Sequence, residues 1–208
     1  LNMKIKTIIF DFGGVIIKTP NLRWVQRWRQ ALGCKQDPEI SKMLSNPIES
    51  DLLRDVFLGK RSEDCIWANL AEKWHLSSRL VNLIRQHAFA KFQVSKPLVR
   101  FMAELKHDYK IAILSNAGDQ TRSVMEEKYH LHELVDEIII SAEEGVIKPD
   151  LEIYQIAKDR LDAAPEATLF VDDMAENVEG AREFGMSAVQ FVNTKQAIQA
   201  VRDCLEED

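Results

Sequence analysis

Apolar residues are concentrated in five short runs, and within each run they follow one another without alternating with polar residues. Such continuity is typical of parallel strands, because helices cover both faces of a parallel sheet. Segments with helical spacing separate the later runs, so the pattern predicts a doubly wound α/β fold with five parallel strands. The predicted strands are Ile5–Phe10, Lys110–Leu114, Glu137–Ile140, Thr168–Val171 and Ser187–Val192. The predicted helices are Leu98–His107, Gln120–Tyr129, Leu151–Leu161 and Ala175–Phe184.

The segment between the first two predicted strands has a different character. It is far longer than a single crossover helix requires, and its apolar residues recur at helical spacings, as Ile66, Trp67 and Leu70 do. Prolines and glycines divide it into short helices. We therefore expect an all-helical bundle inserted into an α/β core. The predicted bundle comprises residues 19–94, and the predicted core comprises residues 1–18 and 95–208.

Composition narrows the range of partners. The 208-residue chain has a formal net charge of −6 and no lysine- or arginine-rich run, so a small phosphorylated metabolite is favoured over a nucleic acid. No apolar stretch reaches the roughly 18 residues needed to span a bilayer, so no membrane partner is expected. Three widely spaced cysteines and the absence of a signal-peptide pattern favour a cytoplasmic location. Both a monomer and a dimer remain open.

Residues that can carry chemistry follow the predicted strands, at the edge where an open parallel sheet binds ligands. Asp11 comes directly after the first strand and before a Gly-Gly turn, so it is a candidate nucleophile or metal ligand. An aspartate there can also simply cap a turn. Ser115 and Asn116 follow the second strand in a loop that can hold phosphate oxygens, although both residue types are also common helix caps.

The third and fourth strands are followed by charged residues. Lys148 could neutralise a phosphoryl group, although most single lysines are merely solvated. Asp172 and Asp173 are adjacent acids that repel each other, and a bound Mg²⁺ would remove the cost of burying them. A helix N-terminus also favours acids. Each signal is modest alone. Together, however, these residues follow four successive strands in one order, and this arrangement predicts one composite site.

Four segments, FDFGGVI, ILSNAG, VIKPDLEIY and FVDDMAENVEGAREFGM, resemble the four motifs of haloacid-dehalogenase (HAD) phosphatases. The resemblance covers nearly the whole chain, including a helical cap inserted after the first motif. It is closest to the branch that contains sugar-phosphate phosphatases and the phosphatase domain of soluble epoxide hydrolases. It implies a Rossmann-like core in which the first strand lies between the second and the fourth.

The resemblance also implies a role for each candidate residue. Asp11 would attack phosphorus to form an aspartyl-phosphate that water then hydrolyses. Ser115 and Asn116 would hold the phosphoryl oxygens, and Lys148 would stabilise the charge near Asp11. The implied Mg²⁺ ligands are Asp11, the backbone carbonyl of Gly13 and Asp173, with Asp172 as an additional or indirect ligand and Asn177 in support.

Gly13 departs from the family pattern. The usual motif has a second aspartate at this position, which is the general acid for the leaving group and is typically worth about 10²–10⁴ in rate. Some relatives that act on sugar 1-phosphates are similar in having this glycine, and an anomeric phosphate leaves more easily than an alkyl one. We therefore expect activated substrates, or an acid supplied by the cap.

Three alternatives follow from the same residues. A catalytically weak relative with a scaffold or regulatory role is compatible with Gly13, but it has no evident need for the intact acid and lysine set. A 2-haloacid dehalogenase shares the nucleophile but needs no magnesium, so Asp172 and Asp173 argue against it. A mutase must protonate and deprotonate a hydroxyl group, a task for which Gly13 is poorly suited.

Overall fold

The computed structural model describes residues 4–18, 23–45 and 49–206. The first residues of the predicted cap, 19–22, lie outside this description. The strands are β1 (Thr7–Phe10), β2 (Ile17–Lys18), β3 (Gln93–Val94), β4 (Lys110–Ser115), β5 (Glu137–Ile140), β6 (Thr168–Asp172) and β7 (Ser187–Gln190). The helices of the first half are α1 (Arg23–Ala31), α2 (Pro38–Ser45), α3 (Asp51–Phe57), α4 (Asp64–Lys73), α5 (Ser78–Ala90) and α6 (Lys96–Leu105). The helices of the second half are α7 (Thr121–Ser123), α8 (Ser141–Glu144), α9 (Leu151–Leu161), α10 (Ala175–Glu183) and α11 (Thr194–Glu206).

The five long strands form one parallel sheet in the order β5–β4–β1–β6–β7, which confirms the predicted α/β fold and the central position of the first strand. In the register, Phe10 lies opposite Ile113 on one side and Val171 on the other. The carboxyl ends of β4, β1 and β6 therefore lie side by side. Any residue that follows one of these strands is brought to the same edge of the sheet.

Burial explains why the strand sequences are continuously apolar. Ile8, Ile9 and Phe10 are fully buried, and successive side chains point to opposite faces of the sheet. Ile8 and Phe10 join a cluster with α6, whereas Ile9 joins a second cluster with α9. These three residues of the central strand therefore need apolar side chains, whichever face they occupy.

The helical predictions hold with two differences. The predicted helix at 120–129 is α7 followed directly by one π-helical turn, Val124–Lys128. Helix α11 was not predicted, although Ala197 and Val201 lie four residues apart and both are fully buried. This one-turn spacing is the sequence signal that could have revealed it. No helix of the described residues is both long enough and apolar enough to cross a bilayer.

Helices α1 to α5 occupy the long segment between β1 and β4. A short antiparallel pair, β2 with β3, flanks these five helices and brings the two ends of their stretch of chain together, with Ile17 opposite Val94. Ser50 caps α3 by accepting a hydrogen bond from the Leu53 amide at 3.3 Å. The assignment of residues 19–94 to a separate cap remains a prediction.

Polar contacts join α5 and the start of α4 to the segment around the start of α7, which follows β4. Glu63 Oε1 accepts a hydrogen bond from Thr121 Oγ1 at 2.9 Å. Arg85 donates to Asp64 Oδ1 at 2.9 Å and to Gln120 Oε1 at 2.7 Å. The inserted helices therefore contact the segment that follows the carboxyl end of β4, at the edge of the sheet where the candidate site residues were predicted.

Candidate active site

Lys148 is the centre of the candidate site. Its ammonium group donates to Asp11 Oδ1 and to Asp172 Oδ2, both at 2.7 Å, and to the Leu114 carbonyl at 2.9 Å. An ammonium group has three donors, so each one has a partner here. The Lys148 side chain is 1% exposed. The structure therefore brings together three sequence-predicted residues from different strand ends around one buried cation.

Burial and charge shift the titration of this group. Burial raises the pKa of Asp11 to about 7, an effect that Lys148 opposes and Asp172 adds to. Burial lowers the pKa of Lys148, but the negative charges of Asp11 and Asp172 more than offset it, so the pKa is raised overall. Lys148 thus stays protonated, and its positive charge favours the ionised form of the carboxylates beside it.

Asp172 is held on both of its oxygens. Oδ1 accepts a hydrogen bond from the Met174 amide at 2.8 Å, and Oδ2 faces Lys148. The Asn177 side-chain nitrogen lies 3.1 Å from each oxygen and donates to this carboxylate. Asp172 is fully buried. Its geometry suits the orientation of Lys148 better than direct contact with a ligand, and Asn177 contacts Asp172 as a supporting residue would.

Asp173 lies over the turn that follows Asp11. A side chain on Gly14 would collide with Asp173 Oδ2, and the Gly14 backbone has φ +86°, a conformation that glycine adopts without strain. Burial and the neighbouring Asp172 raise the pKa of Asp173. The absence of a side chain at Gly14 therefore allows the Asp173 carboxylate to pack close to the turn that follows Asp11.

Three carboxylates converge closely enough to share a cation. One oxygen from each of Asp11, Asp172 and Asp173 lies within 4.8 Å of the others. Lys148 supplies a single positive charge against three acids, so a divalent ion would remove most of the remaining repulsion. Carboxylate oxygens are hard ligands of the kind that Mg²⁺ prefers. The donor set is suited to Mg²⁺, with Asp11 and Asp173 less occupied by hydrogen bonds than Asp172.

The two residues after β4 differ in what they contact. Ser115 is the last residue of the strand and is 3% exposed. The Asn116 side chain donates from Nδ2 to the Lys148 carbonyl at 2.9 Å and accepts at Oδ1 from the Lys148 amide at 2.8 Å. Both ends of its carboxamide thus bind the Lys148 backbone, a partner other than the phosphoryl oxygens predicted for it.

Gly13 lies in an open part of the turn. A Cβ atom built there meets no other atom within 4 Å, and Gly13 is exposed. The turn around it is closed by hydrogen bonds from the Gly14 amide to the Ile17 carbonyl and from the Ile17 amide to the Phe12 carbonyl, both at 2.8 Å. The position where the resemblance implies a missing acid is therefore open space.

Sequence reasoning missed two residues near this edge of the sheet. Ser141 follows β5, is fully buried, and accepts a hydrogen bond from the Ala117 amide at 3.0 Å. The rule that functional residues follow strands could have identified it. Glu63 of the inserted helices abuts Gly118, where any side chain would collide with it. No local signal marks Glu63, because its contact depends on how the helices pack.

Comparisons with known proteins point to one family. A model of the haloacid dehalogenase-like hydrolases matches residues 5–185. Over 152 residues the chain is 30% identical to bifunctional epoxide hydrolase 2 of Mus musculus, a match that covers 71% of this chain but 26% of that protein. It is 27% identical over 198 residues to the D-ribitol-5-phosphate phosphatase of Bacteroides thetaiotaomicron, covering 91% of this chain and 93% of the relative.

Two further similarities bear on the chemistry. The chain is 31% identical over 123 residues to (S)-2-haloacid dehalogenase 1 of Pseudomonas sp., covering 59% of this chain and 52% of the dehalogenase. A HAD-family enzyme from Bacteroides thetaiotaomicron, solved as a complex with magnesium and inorganic phosphate, has a TM-score of 0.73. That structure is 20% identical in sequence and aligns over 89% of this chain and 93% of its own, a likeness of fold.

Proposed function

The chain belongs to the haloacid dehalogenase-like hydrolase family, and on that premise we propose that it is a Mg²⁺-dependent phosphatase of a small phosphorylated metabolite. The observation that carries the proposal is the buried group formed by Lys148, Asp11 and Asp172. A lysine that binds one oxygen of Asp11 leaves the other oxygen for attack and places a positive charge beside a transferring phosphoryl group.

In the proposed reaction, an Asp11 carboxylate oxygen attacks phosphorus while the bond from phosphorus to the ester oxygen breaks. The departing oxygen takes up a proton from solvent water and leaves as the alcohol, and the other product is an aspartyl-phosphate. Water then attacks the phosphorus of this intermediate, which releases inorganic phosphate and restores the carboxylate. Ser115 and the backbone amide of Asn116 would hold phosphoryl oxygens during both steps, because they lie at the neighbouring strand end.

We assign the Mg²⁺ to Asp11, Asp173 and the backbone carbonyl of Gly13, with Asp172 acting indirectly through its hold on Lys148. The convergence of the three carboxylates and the magnesium complex of the fold relative support this assignment. When bound, the ion would supply charge neutralisation for the phosphoryl group. The role of the chain is to orient the two carboxylates and to keep the Asp11 oxygen directed at the substrate.

The proposed substrate has a good leaving group, for example a sugar 1-phosphate. The open space at Gly13 supports this preference, because the turn after Asp11 offers no acid there that could protonate the departing oxygen. The phosphatase relative is named for a sugar-alcohol phosphate, D-ribitol 5-phosphate. This name supports a substrate from the wider class of small phosphorylated metabolites. Equal rates for simple alkyl phosphates and sugar 1-phosphates would contradict the narrower preference.

Asp11→Asn is expected to abolish turnover, because the amide keeps the shape of the carboxylate but is a poor nucleophile. In a Mg²⁺-dependent screen of phosphorylated metabolites, kcat should fall by at least roughly 10³-fold. Wild-type enzyme quenched in acid during turnover should carry a hydroxylamine-sensitive phosphate that the variant lacks. A wild-type chain without turnover on any phosphate ester would instead favour the scaffold alternative.

The 2-haloacid dehalogenase alternative has support from one relative. Dehalogenation attacks carbon and needs no divalent ion, so chloride release from 2-chloropropionate in EDTA is the discriminating assay. We expect no release, because the converging Asp172 and Asp173 carboxylates have no evident use in that reaction. Chloride release in EDTA that is lost in Asp11→Asn would replace the phosphatase proposal.

Gly14→Ala is expected to weaken Mg²⁺ binding, because the added methyl group would displace the Asp173 carboxylate. Gly14 would act on the proposed ligand Asp173 from outside the coordination sphere, where substitutions typically cost about 10–100-fold in metal affinity. Titration calorimetry of the metal-free protein with MgCl₂ measures the change. The matched control is Gly13→Ala, where the added methyl group meets no other atom and a loss below about threefold is expected. Similar losses in both variants would show that the packing on Gly14 does not set the affinity.

A further inference from the structure

We propose that Asn116 is a positioning residue that holds Lys148 in register with the two carboxylates, instead of binding phosphate through its side chain. The proposal rests on the proposed phosphatase function. Its basis is that both polar ends of the Asn116 carboxamide bind the backbone of one residue, 32 positions away in the chain.

The geometry resembles a short piece of strand pairing made by a side chain. The Asn116 carboxamide uses its nitrogen as donor and its oxygen as acceptor, and the Lys148 carbonyl and amide are the complementary partners at 2.9 and 2.8 Å. Lys148 lies in the loop before α9, where it has no strand partner. The carboxamide therefore replaces the backbone hydrogen bonds that a ladder would supply.

Lys148 is held at both of its ends by the carboxyl terminus of β4. Asn116 holds the backbone, and the Leu114 carbonyl accepts from the ammonium group at 2.9 Å. The ammonium group at the end of the side chain also contacts Asp11 and Asp172. A shift of the Lys148 backbone would move the ammonium group away from both carboxylates, because the side chain is fully buried and has little room to compensate.

The effect on catalysis should appear in kcat and not in phosphate affinity. A misplacement of about 1 Å can cost about 10²-fold in rate. We therefore expect Asn116→Ala to lower kcat by about that factor, while the inhibition constant of inorganic phosphate changes by less than about threefold. A side chain that binds phosphate directly would give the opposite pattern, with weaker phosphate inhibition and an almost unchanged kcat.

A double-mutant cycle with Lys148→Met tests whether Asn116 acts through the lysine. The substrate is p-nitrophenyl phosphate. Added to the wild-type chain, Asn116→Ala should lower kcat by about 10²-fold; added to the Lys148→Met variant, it should lower kcat by less than about threefold. An equal loss in both backgrounds would overturn the proposal. Asn116→Asp is the second variant, because it keeps the shape but turns an acceptor toward the Lys148 carbonyl. Wild-type kcat in Asn116→Asp would also overturn it.

A labelling experiment separates this proposal from the phosphatase function. Competitive acetylation with acetic anhydride, followed by mass spectrometry, should label Lys148 at least about tenfold faster in Asn116→Ala than in the wild type, because its loop loses both hydrogen bonds. Exposed Lys96 is the internal reference. Gln155→Ala, which removes an exposed carboxamide that binds Asp159, is the matched control variant. Unchanged labelling of Lys148 would contradict the positioning role even if no phosphate ester is hydrolysed.

Discussion

Lys148→Met is expected to lower both the activity and the stability of the protein by large factors. Methionine keeps the unbranched apolar stem, one atom shorter, but removes the donors to Asp11, Asp172 and the Leu114 carbonyl. Removing one partner of a buried ion pair typically costs about 3–5 kcal/mol. Loss of a positive charge beside the transferring group should lower kcat by about 10²–10³-fold. Steady-state kinetics with Mg²⁺ present measures the loss of activity. Urea unfolding in EDTA measures the loss of stability.

The loss of stability should depend on pH with a definite sign. The pKa of Asp11 is raised to about 7 in the folded protein, above the ordinary value of 3.8, so the folded state binds more protons than the unfolded state between these values. The contribution of Asp11 to the free energy of unfolding therefore falls as pH rises from 3.8 to about 7. Without Lys148 the repulsion between Asp11 and Asp172 increases, so the free-energy deficit of the variant should be larger at pH 8 than at pH 5.

An exposed lysine provides the control for this experiment. Lys158→Met removes a surface ion pair with Asp159, for which a change below about 0.5 kcal/mol at either pH is expected. If Lys148→Met were as stable as Lys158→Met at pH 8, the buried group would not depend on the lysine charge. The proposed role of Lys148 would then need revision.

Gly13→Asp is expected to accelerate the hydrolysis of alkyl phosphates. The position can accept a side chain, because a Cβ atom built there meets no other atom within 4 Å and its backbone is not left-handed. A positioned general acid typically contributes about 10²–10⁴ in rate. The nearby Asp11 and Asp173 charges would raise the pKa of the new carboxyl group and keep it protonated. The measurement is kcat/KM for glycerol phosphate and for p-nitrophenyl phosphate.

The two substrates distinguish acid catalysis from a general effect. p-Nitrophenolate leaves without a proton, so its rate should change by less than about threefold in Gly13→Asp. Gly13→Asn is the matched variant with the same shape and no acidic proton, and it should accelerate alkyl phosphates by less than about tenfold. Equal acceleration by the aspartate and asparagine variants would mean that the missing group at Gly13 is not an acid.

The sheet was predictable from the sequence for a local reason. A strand covered on both faces needs an apolar side chain at every position, so burial leaves a continuous run in the chain, as in Ile8, Ile9 and Phe10. Helix α11 was missed because its signal is limited to a few buried positions among polar ones. The short β2–β3 pair has too few residues to leave a pattern.

The sequence alone determined which segments follow parallel strands and therefore share one edge of the sheet, and the family resemblance placed Asp11, Ser115 and Asp173 together there. Only the tertiary structure decided what each side chain binds. Lys148 finds its partners 137, 34 and 24 residues away, and Asn116 turns toward the Lys148 backbone. Such choices depend on how loops that are distant in the chain pack against one another, which local patterns of polarity do not encode.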